Sequence, residues 1–122
     1  MTRREFDRFC KSLKGSAHVI QWGGASVWKI GGKIFAICSS WGEGASDWIA
    51  FKCSDLAYDI LREQPGIVPA PYLVRAKWVQ IAEPGAMTDA DIKAQIEAAY
   101  KIVAGKLTKA ARRELGIEDL KA

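Results

Sequence analysis

The chain has 122 residues, of which 49% are hydrophobic and 26% are charged, and these proportions are typical of a folded globular domain rather than a disordered chain. Its apolar runs are short and interrupted by Lys or Gly, so the sequence excludes a membrane-spanning helix. No apolar signal core follows the first residues, which predicts a cytoplasmic location. The formal net charge of +4 permits attraction to polyanions without requiring it.

The cysteines are widely spaced along the chain and lack any Cys-x-x-Cys pair. The sequence contains Cys10, Cys38 and Cys53, each among apolar neighbours, and this pattern predicts reduced core residues rather than a disulfide framework or a zinc site. Neither Gly pair, at 23–24 or 31–32, matches a phosphate-binding loop or a dinucleotide fingerprint. We therefore expect no metal and no cofactor.

A capped helix is predicted at the start of the chain. Thr2 and Glu5 have the spacing of a capping box. The apolar residues that follow recur on one helical face, which comprises Phe6, Phe9, Cys10 and Leu13. Arg4, Arg8 and Lys11 share the opposite face, which either contacts phosphate groups or is simply solvated.

A β-hairpin is predicted next, because two runs rich in β-branched and aromatic residues flank Gly31 and Gly32. The glycines supply the positive φ angles of a two-residue primed turn. Alternation along the first strand then places Trp28 and Lys29 on opposite faces of the sheet.

The middle of the chain combines a loop, a strand and a short helix. The small residues of 39–46 predict an exposed loop, followed by a strand over 47–53 in which Ile49 and Phe51 face the core. Ser54 is a predicted N-cap of a short helix. The residues of this helix that we expect to face inward are Leu56, Ile60 and Leu61.

Prolines distinguish the following segment. Residues 67–71 contain Pro69 and Pro71, which lack the donors that a central strand needs, so we expect an extended connector here. Two tightly joined strands are predicted after it, over 72–74 and 77–82.

The longest helix is predicted to begin after Thr88, an N-cap residue. Its buried stripe comprises Ile92, Ile96, Tyr100, Val103 and Leu107. The tail is richer in charge and is predicted to form a partial helix with a frayed end. We expect a single domain over 1–107 and a basic helical extension over 108–122.

This order of elements predicts an α+β fold, a two-layer sandwich in which helices cover one face of an antiparallel sheet, in the order α-β(3-4)-α-β(2)-α. Four motifs follow one another along the chain: the 27–36 hairpin, the Phe51-Lys52-Cys53 step, the Pro65-Gly66-Ile67 connector and the Lys77-Trp78 step. In these motifs and their order the chain resembles the MmcQ/YjbR family, from about Thr2 to Leu107.

This resemblance implies a fold similar to CyaY-like and secretion-chaperone-like domains, and a DNA-binding role. The chain departs from the family at 19–24, where members often carry a Tyr-Pro-Phe-Gly-like segment, so no role is assigned to that loop. The tail that contains Arg112 and Arg113 lies outside the resemblance.

The sequence does not indicate an enzyme. His18 is the only histidine, no nucleophile lies at a telling spacing from it, and a structural or surface role is favoured. Glu43, Asp47 and Asp55 form no metal-type series. We expect no catalytic residues.

Strand alternation predicts a basic and aromatic surface on the sheet face away from the helices. Trp48 and Trp78 would stack on exposed bases there, while lysines neutralise phosphates. Lys33 at the hairpin turn, and Arg75 with Lys77 at the second turn, would extend the basic surface on either side. The predicted nucleic-acid-binding residues are Lys29, Lys33, Trp48, Lys52, Arg75, Lys77 and Trp78. The alternative is that the same face contacts a second copy of the chain or another protein partner.

Overall fold

A sheet of antiparallel strands with helices packed on it forms the part of the chain that the computed structural model describes, residues 1–39, 48–70, 76–83 and 85–120. The strands are β1 (Ser16–Gln21), β2 (Ala25–Ile30), β3 (Lys33–Ser39), β4 (Trp48–Lys52), β5 (Ile67–Pro69) and β6 (Trp78–Ile81). The helices are α1 (Arg3–Ser12), α2 (Asp55–Leu61), α3 (Asp89–Gly105) and α4 (Lys109–Glu114). The spatial order of the strands is β1-β2-β3-β4-β6-β5, which confirms the predicted α+β class. None of the helices in these ranges has the length and apolar character needed to cross a membrane.

The β2–β3 hairpin has the predicted turn, since Gly31 and Gly32 have φ angles of 59° and 80°. A β-bulge lies directly after it, because Trp28 pairs with Ala36 whereas Lys29 pairs with Ile34. The bulge leaves Phe35 as the extra residue, and it joins Ala36 in the helix-side core. A bulge of this kind turns two successive side chains to the same face, which strand alternation alone does not predict.

The helix-side core is built from the stripes predicted for the two longer helices. The capping box of Thr2 and Glu5 is present, and Thr88 caps α3. The core contains Phe6 and Cys10 from α1, and Ile92, Ile96, Tyr100 and Val103 from α3, with Phe9, Leu13 and Leu107 partly buried against it. The three cysteines are buried, as predicted.

The inward face of α2 differs from the prediction. Leu56 and Ile60 are 71% and 52% exposed, whereas Tyr58 is buried. Leu61 packs against the core as expected. Tyr58 and Leu61 are three positions apart and therefore share one face of the helix. This face, rather than the face of Leu56 and Ile60, is directed towards the core.

The sheet face away from the helices is not open. Trp78 is only 4% exposed and belongs to a second apolar cluster formed by Ala25, Val27, Ile37, Ala50, Ala70 and Trp78. Gln80, which alternation also assigned to this face, is buried as well. The predicted placement of Trp78 and Gln80 on this face was correct, but the expectation of an uncovered surface at Trp78 was wrong, because the indole packs within this apolar cluster.

The proline-containing segment forms a strand rather than a connector. Ile67–Pro69 pairs with β6 as β5, at the edge of the sheet. An edge strand tolerates proline because one of its sides has no ladder partner. The predicted second strand is present as Trp78–Ile81, while the predicted strand at 72–74, Arg75 and the predicted loop from Ser40 to Ser46 lie outside the described residues.

The tail packs onto the main core. After α4, Ile117 is buried and Leu115 and Leu120 pack against the same cluster. The predicted frayed end is therefore wrong as far as Leu120, because these apolar side chains return the chain to the core.

Candidate functional site

The register of the sheet gathers lysines at one end. Lys33 begins β3 and Lys52 ends β4, and antiparallel pairing places these two strand ends side by side. Lys52 lies opposite Trp78, so Lys77, which precedes Trp78, is at the same end. Lys29 pairs with Ile34, next to the hairpin turn. The register thus places four of the seven predicted residues at the same end of the sheet.

Lys106 joins this group, although the sequence did not single it out as a binding residue. It is the C-cap of α3, and the following residue, Leu107, lies so close to the hairpin turn that a Cβ on Gly31 would be 2.5 Å from its Cδ1. The sequence shows a run of cations after α3 but not where that run docks. We call Lys29, Lys33, Lys52, Lys77 and Lys106 the basic end.

Lys52 is the most constrained lysine of the basic end. Burial lowers its pKa, and the positive charges of Lys106 and Lys77 lower it further, while Asp55 opposes the shift. Its ammonium donates a hydrogen bond to the backbone carbonyl of Ala76. A partly desolvated ammonium beside like charges gains from any anion that approaches it.

Lys77 is held by its backbone and by an aromatic ring. Its φ angle of 61° is in the left-handed region, which is uncommon for a residue other than glycine. Its carbonyl accepts a hydrogen bond from the Cys53 amide at 2.8 Å, and its Nζ lies 4.9 Å from the centroid of the Tyr58 ring. The position of this charge is therefore fixed by β4, β6 and α2 together.

The predicted aromatic part of the site is not assembled. Trp78 is buried, and Trp48 lies at the opposite end of β4, roughly 13 Å from Lys52 at the usual rise of a strand. Trp48 instead lines a cavity of about 300 Å³ together with Met1, Met87 and Ile92. The basic end therefore offers charge without the predicted tryptophan platform.

A second polar arrangement, which sequence reasoning missed, connects α1, β1 and β2. The Ser26 hydroxyl is fully buried and donates to Oδ1 of Asp7, and His18 Nε2 lies 2.7 Å from Ser26 Oγ. Trp28 Nε1 donates to the same Asp7 oxygen at 2.9 Å. The His18 ring stacks on Trp28, with centroids 4.6 Å apart and an interplanar angle of 21°. The four residues are scattered along the sequence, so only strand pairing and helix docking reveal the set.

This arrangement forms one wall of a groove, and the basic face of α1 forms the other. The groove has a volume of about 590 Å³ and is lined by Arg4, Asp7, Arg8, Lys11, Ser16, His18 and Trp28. We call it the α1 groove. Arg4, Arg8 and Lys11 are exposed, as the interpretation of this helix face as solvated predicts, and they also line this groove.

Metal and thiol chemistry has little support in the described ranges. No group of three or more His, Cys, Asp or Glu side chains is placed to hold a metal ion among the residues described. Burial raises the pKa of the Cys53 thiol to about 11, and burial followed by the charge of Asp7 raises that of Cys10 further still. Both thiols are kept protonated and unreactive at neutral pH.

Two solved structures share this fold. A Deinococcus radiodurans protein with the DUF419 domain is 23% identical, with a TM-score of 0.83, and the match covers 97% of this chain and 90% of that one. A Pseudomonas syringae protein is 20% identical, with a TM-score of 0.70, and the match covers 84% of this chain and 99% of that one. A search of curated proteins finds no match. The family model YjbR matches residues 11–102, which is most of the chain, and the protein therefore belongs to the YjbR family.

Proposed function

We propose that this chain is a non-enzymatic, cytoplasmic binding protein that binds nucleic acid, DNA in the first instance, through its basic end. The lysines of the basic end contact backbone phosphates. The likeness to CyaY-like and secretion-chaperone-like domains remains a prediction from the sequence and carries no part of this proposal.

Crowding of like charges at the basic end is the observation that supports this function. Burial lowers the pKa of Lys52 most, the charge of Lys106 lowers it further and that of Lys77 adds the least, which indicates that these three cations lie near one another. Among the described residues, none of these lysines forms a salt bridge. Phosphates spaced along a nucleic-acid backbone would neutralise several such charges at once.

The corrected position of Trp78 changes the expected mode of binding. Because the Trp78 indole is buried, its ring faces are not available for stacking on a base. Phosphate contacts carry no sequence information by themselves. We therefore expect affinity that depends strongly on salt and weakly on sequence.

The alternative partner is a second copy of the chain or another protein. This alternative requires an uncovered sheet face on the side away from the helices. The apolar residues of that face, including Val27, Ile37, Ala50 and Trp78, are already buried within this chain. Little apolar area is left there for a second molecule to cover. This alternative is retained as an outcome of the experiment.

The experiment measures binding of single- and double-stranded oligonucleotides of mixed sequence across a salt series, with sedimentation in parallel. The double variant Lys33→Ala/Lys106→Ala removes two exposed cations of the basic end, and we expect the slope of log affinity against log salt to fall by about one for each lysine. The control is Lys93→Ala, which also removes one positive charge but lies on the exposed face of α3. The salt dependence of its affinity should stay close to that of the wild type.

The absence of wild-type affinity at low salt would overturn the nucleic-acid proposal. If the chain sediments as a dimer at the same time, the interaction-module alternative replaces it. Equal effects of the basic-end and Lys93 variants would mean that binding follows net charge and has no defined site.

A further inference from the structure

The α1 groove contains cations that the chain itself does not neutralise. Arg4 and Arg8 are four positions apart on α1 and Lys11 is three further on, so their like charges lie on one helical face. None of them forms a salt bridge with another described residue. The carboxylate in the groove, Asp7, already accepts hydrogen bonds from Ser26 and Trp28 through Oδ1. The cationic wall is therefore available to an anion from outside.

The opposite wall of the groove presents a flat ring. His18 stacks with one face on Trp28, and its side chain is 36% exposed. Because the side chain is partly exposed, a planar ligand ring would extend this stack on the other face of the imidazole. Cations on one side and a ring on the other are the contacts that a phosphate attached to a flat heterocycle requires.

The His18 ring is held in place by groups inside the protein. Its Nε2 contacts Ser26 Oγ at 2.7 Å, and Ser26 is fully buried and tied to Asp7 on α1. Buried hydroxyl groups are nearly always hydrogen-bonded. The hydrogen bonds of the Ser26 hydroxyl hold the exposed His18 ring at the edge of the groove. The contacts with Ser26 and Asp7 fix the orientation of the His18 ring. Binding sites use side chains that are fixed in this way, whereas a side chain that only faces solvent does not need it.

We infer that the α1 groove is a binding site for a nucleoside monophosphate, with the phosphate against Arg4, Arg8 and Lys11 and the base stacked on His18. The groove volume of about 590 Å³ is within the range of small-molecule sites. The groove is lined by residues of α1, β1 and β2, and none of the lysines of the basic end lines it. The inference is independent of the nucleic-acid proposal.

The test is calorimetric titration of the full chain with adenosine 5′-monophosphate, adenosine and inorganic phosphate. We expect the monophosphate to bind more tightly than either fragment. Arg8→Ala should weaken monophosphate binding by about tenfold, because it removes a charge-assisted hydrogen bond. Lys109→Ala, an exposed cation on α4 outside the groove, should leave the affinity unchanged.

Two His18 variants separate stacking from a general loss of structure. His18→Phe keeps a flat ring and should retain the preference for adenosine monophosphate over inorganic phosphate, whereas His18→Ala should abolish it. In the wild type, the indole N–H resonance of Trp28, which reports on the hydrogen bond to Asp7, should shift on addition of the monophosphate. Denaturant midpoints of both variants establish that they are folded.

The outcomes also distinguish this inference from the proposed function. If inorganic phosphate binds as tightly as the monophosphate, or if Arg8→Ala and Lys109→Ala behave alike, the groove is not a nucleotide site, whatever the oligonucleotide titrations give. If the groove is a nucleotide site, a competition arm identifies the source of the nucleotide. Displacement of the monophosphate by a 5′-phosphorylated oligonucleotide, but not by the same strand with a 5′-hydroxyl, assigns the groove to strand ends, and displacement by neither assigns it to the free mononucleotide.

Discussion

The two faces of the sheet are both buried, but they are built differently. On the helix side, Phe6, Phe35 and Phe51 are fully buried in a cluster that α1 and α3 close. On the other side, one large residue, Trp78, is surrounded by smaller apolar side chains from β2, β3 and β4. Alternation correctly assigned Trp78 to this second face, yet it did not reveal that the face would be covered. Whether an apolar face is exposed depends on what folds back over it.

This difference moves the candidate contact surface from the face of the sheet to its end. Lys52 and Trp78 are register partners, but the ammonium remains near solvent while the indole is enclosed. A long charged side chain can bury its stem and leave its head in water, whereas an indole has only a small polar tip. A surface predicted as mixed basic and aromatic thus becomes a purely basic one.

The largest effect is expected on the helix side. Replacing Phe51 by Ala leaves a cavity in the main core and should lower the free energy of unfolding by about 3–5 kcal/mol. Chemical denaturation followed by circular dichroism measures it. A loss of less than about 1 kcal/mol would mean that the helix-side cluster is not the dominant core.

Trp78→Ala tests the second face. We expect a loss of about 3 kcal/mol, at the lower end of the range for large aromatic residues, because its neighbours are small and part of the wall can relax. Under conditions where the variant is folded, its oligonucleotide affinity should match that of the wild type, since the indole is buried. A folded variant with much weaker binding would restore the original stacking hypothesis.

The hairpin turn offers a matched pair of glycines with positive φ. Gly31→Ala adds backbone strain and a Cβ that would lie 2.5 Å from Leu107, while the Cβ of Gly32→Ala would meet open space. We expect the Gly32 variant to lose about 1 kcal/mol from strain alone and the Gly31 variant to lose more. Denaturant midpoints compare the two. Equal losses would show that Leu107 moves aside at little cost.

An effect confined to alkaline pH is expected in the helix-side core, where burial raises the pKa of the Cys53 thiol to about 11. Its pKa in the unfolded chain is near the ordinary 9.0, so its contribution to stability is present below that pH. Between about pH 9 and 11 the unfolded chain loses the proton first, and stability falls as pH rises. Cys53→Ala should flatten this decline, as measured by midpoints at pH 8 to 11. A parallel decline in both proteins would place its cause elsewhere, for example at Cys10 or Tyr100, whose pKa values are also raised by burial.

Local chemistry explains which parts of the fold could be predicted. The Thr2 and Thr88 caps and the Gly31-Gly32 turn depend on neighbours within a few positions, and all are present. The inward face of α2 and the bulge at Phe35 could not be predicted in this way. Both depend on packing partners from distant parts of the chain.

The candidate sites show the same division. Lys29, Lys33, Lys52 and Lys77 could be predicted because adjacent antiparallel strands place them at a common end. Lys106 joins them only through the docking of α3 against the hairpin. The α1 groove was missed because Asp7, His18 and Ser26 come from three elements, and no spacing in the sequence connects them.

The sequence by itself determined the class of the main helices and the antiparallel pairing of the hairpin, because these follow from periodicity, caps and turn chemistry within short windows. The likeness to the YjbR family rests instead on particular motifs, such as the Lys77-Trp78 step. Tertiary structure alone decided which surfaces are exposed. It buried Trp78, turned Leu56 outward and assembled the stack of His18 on Trp28. Burial is a property of the surroundings of a side chain, and those surroundings come from residues far away in the sequence.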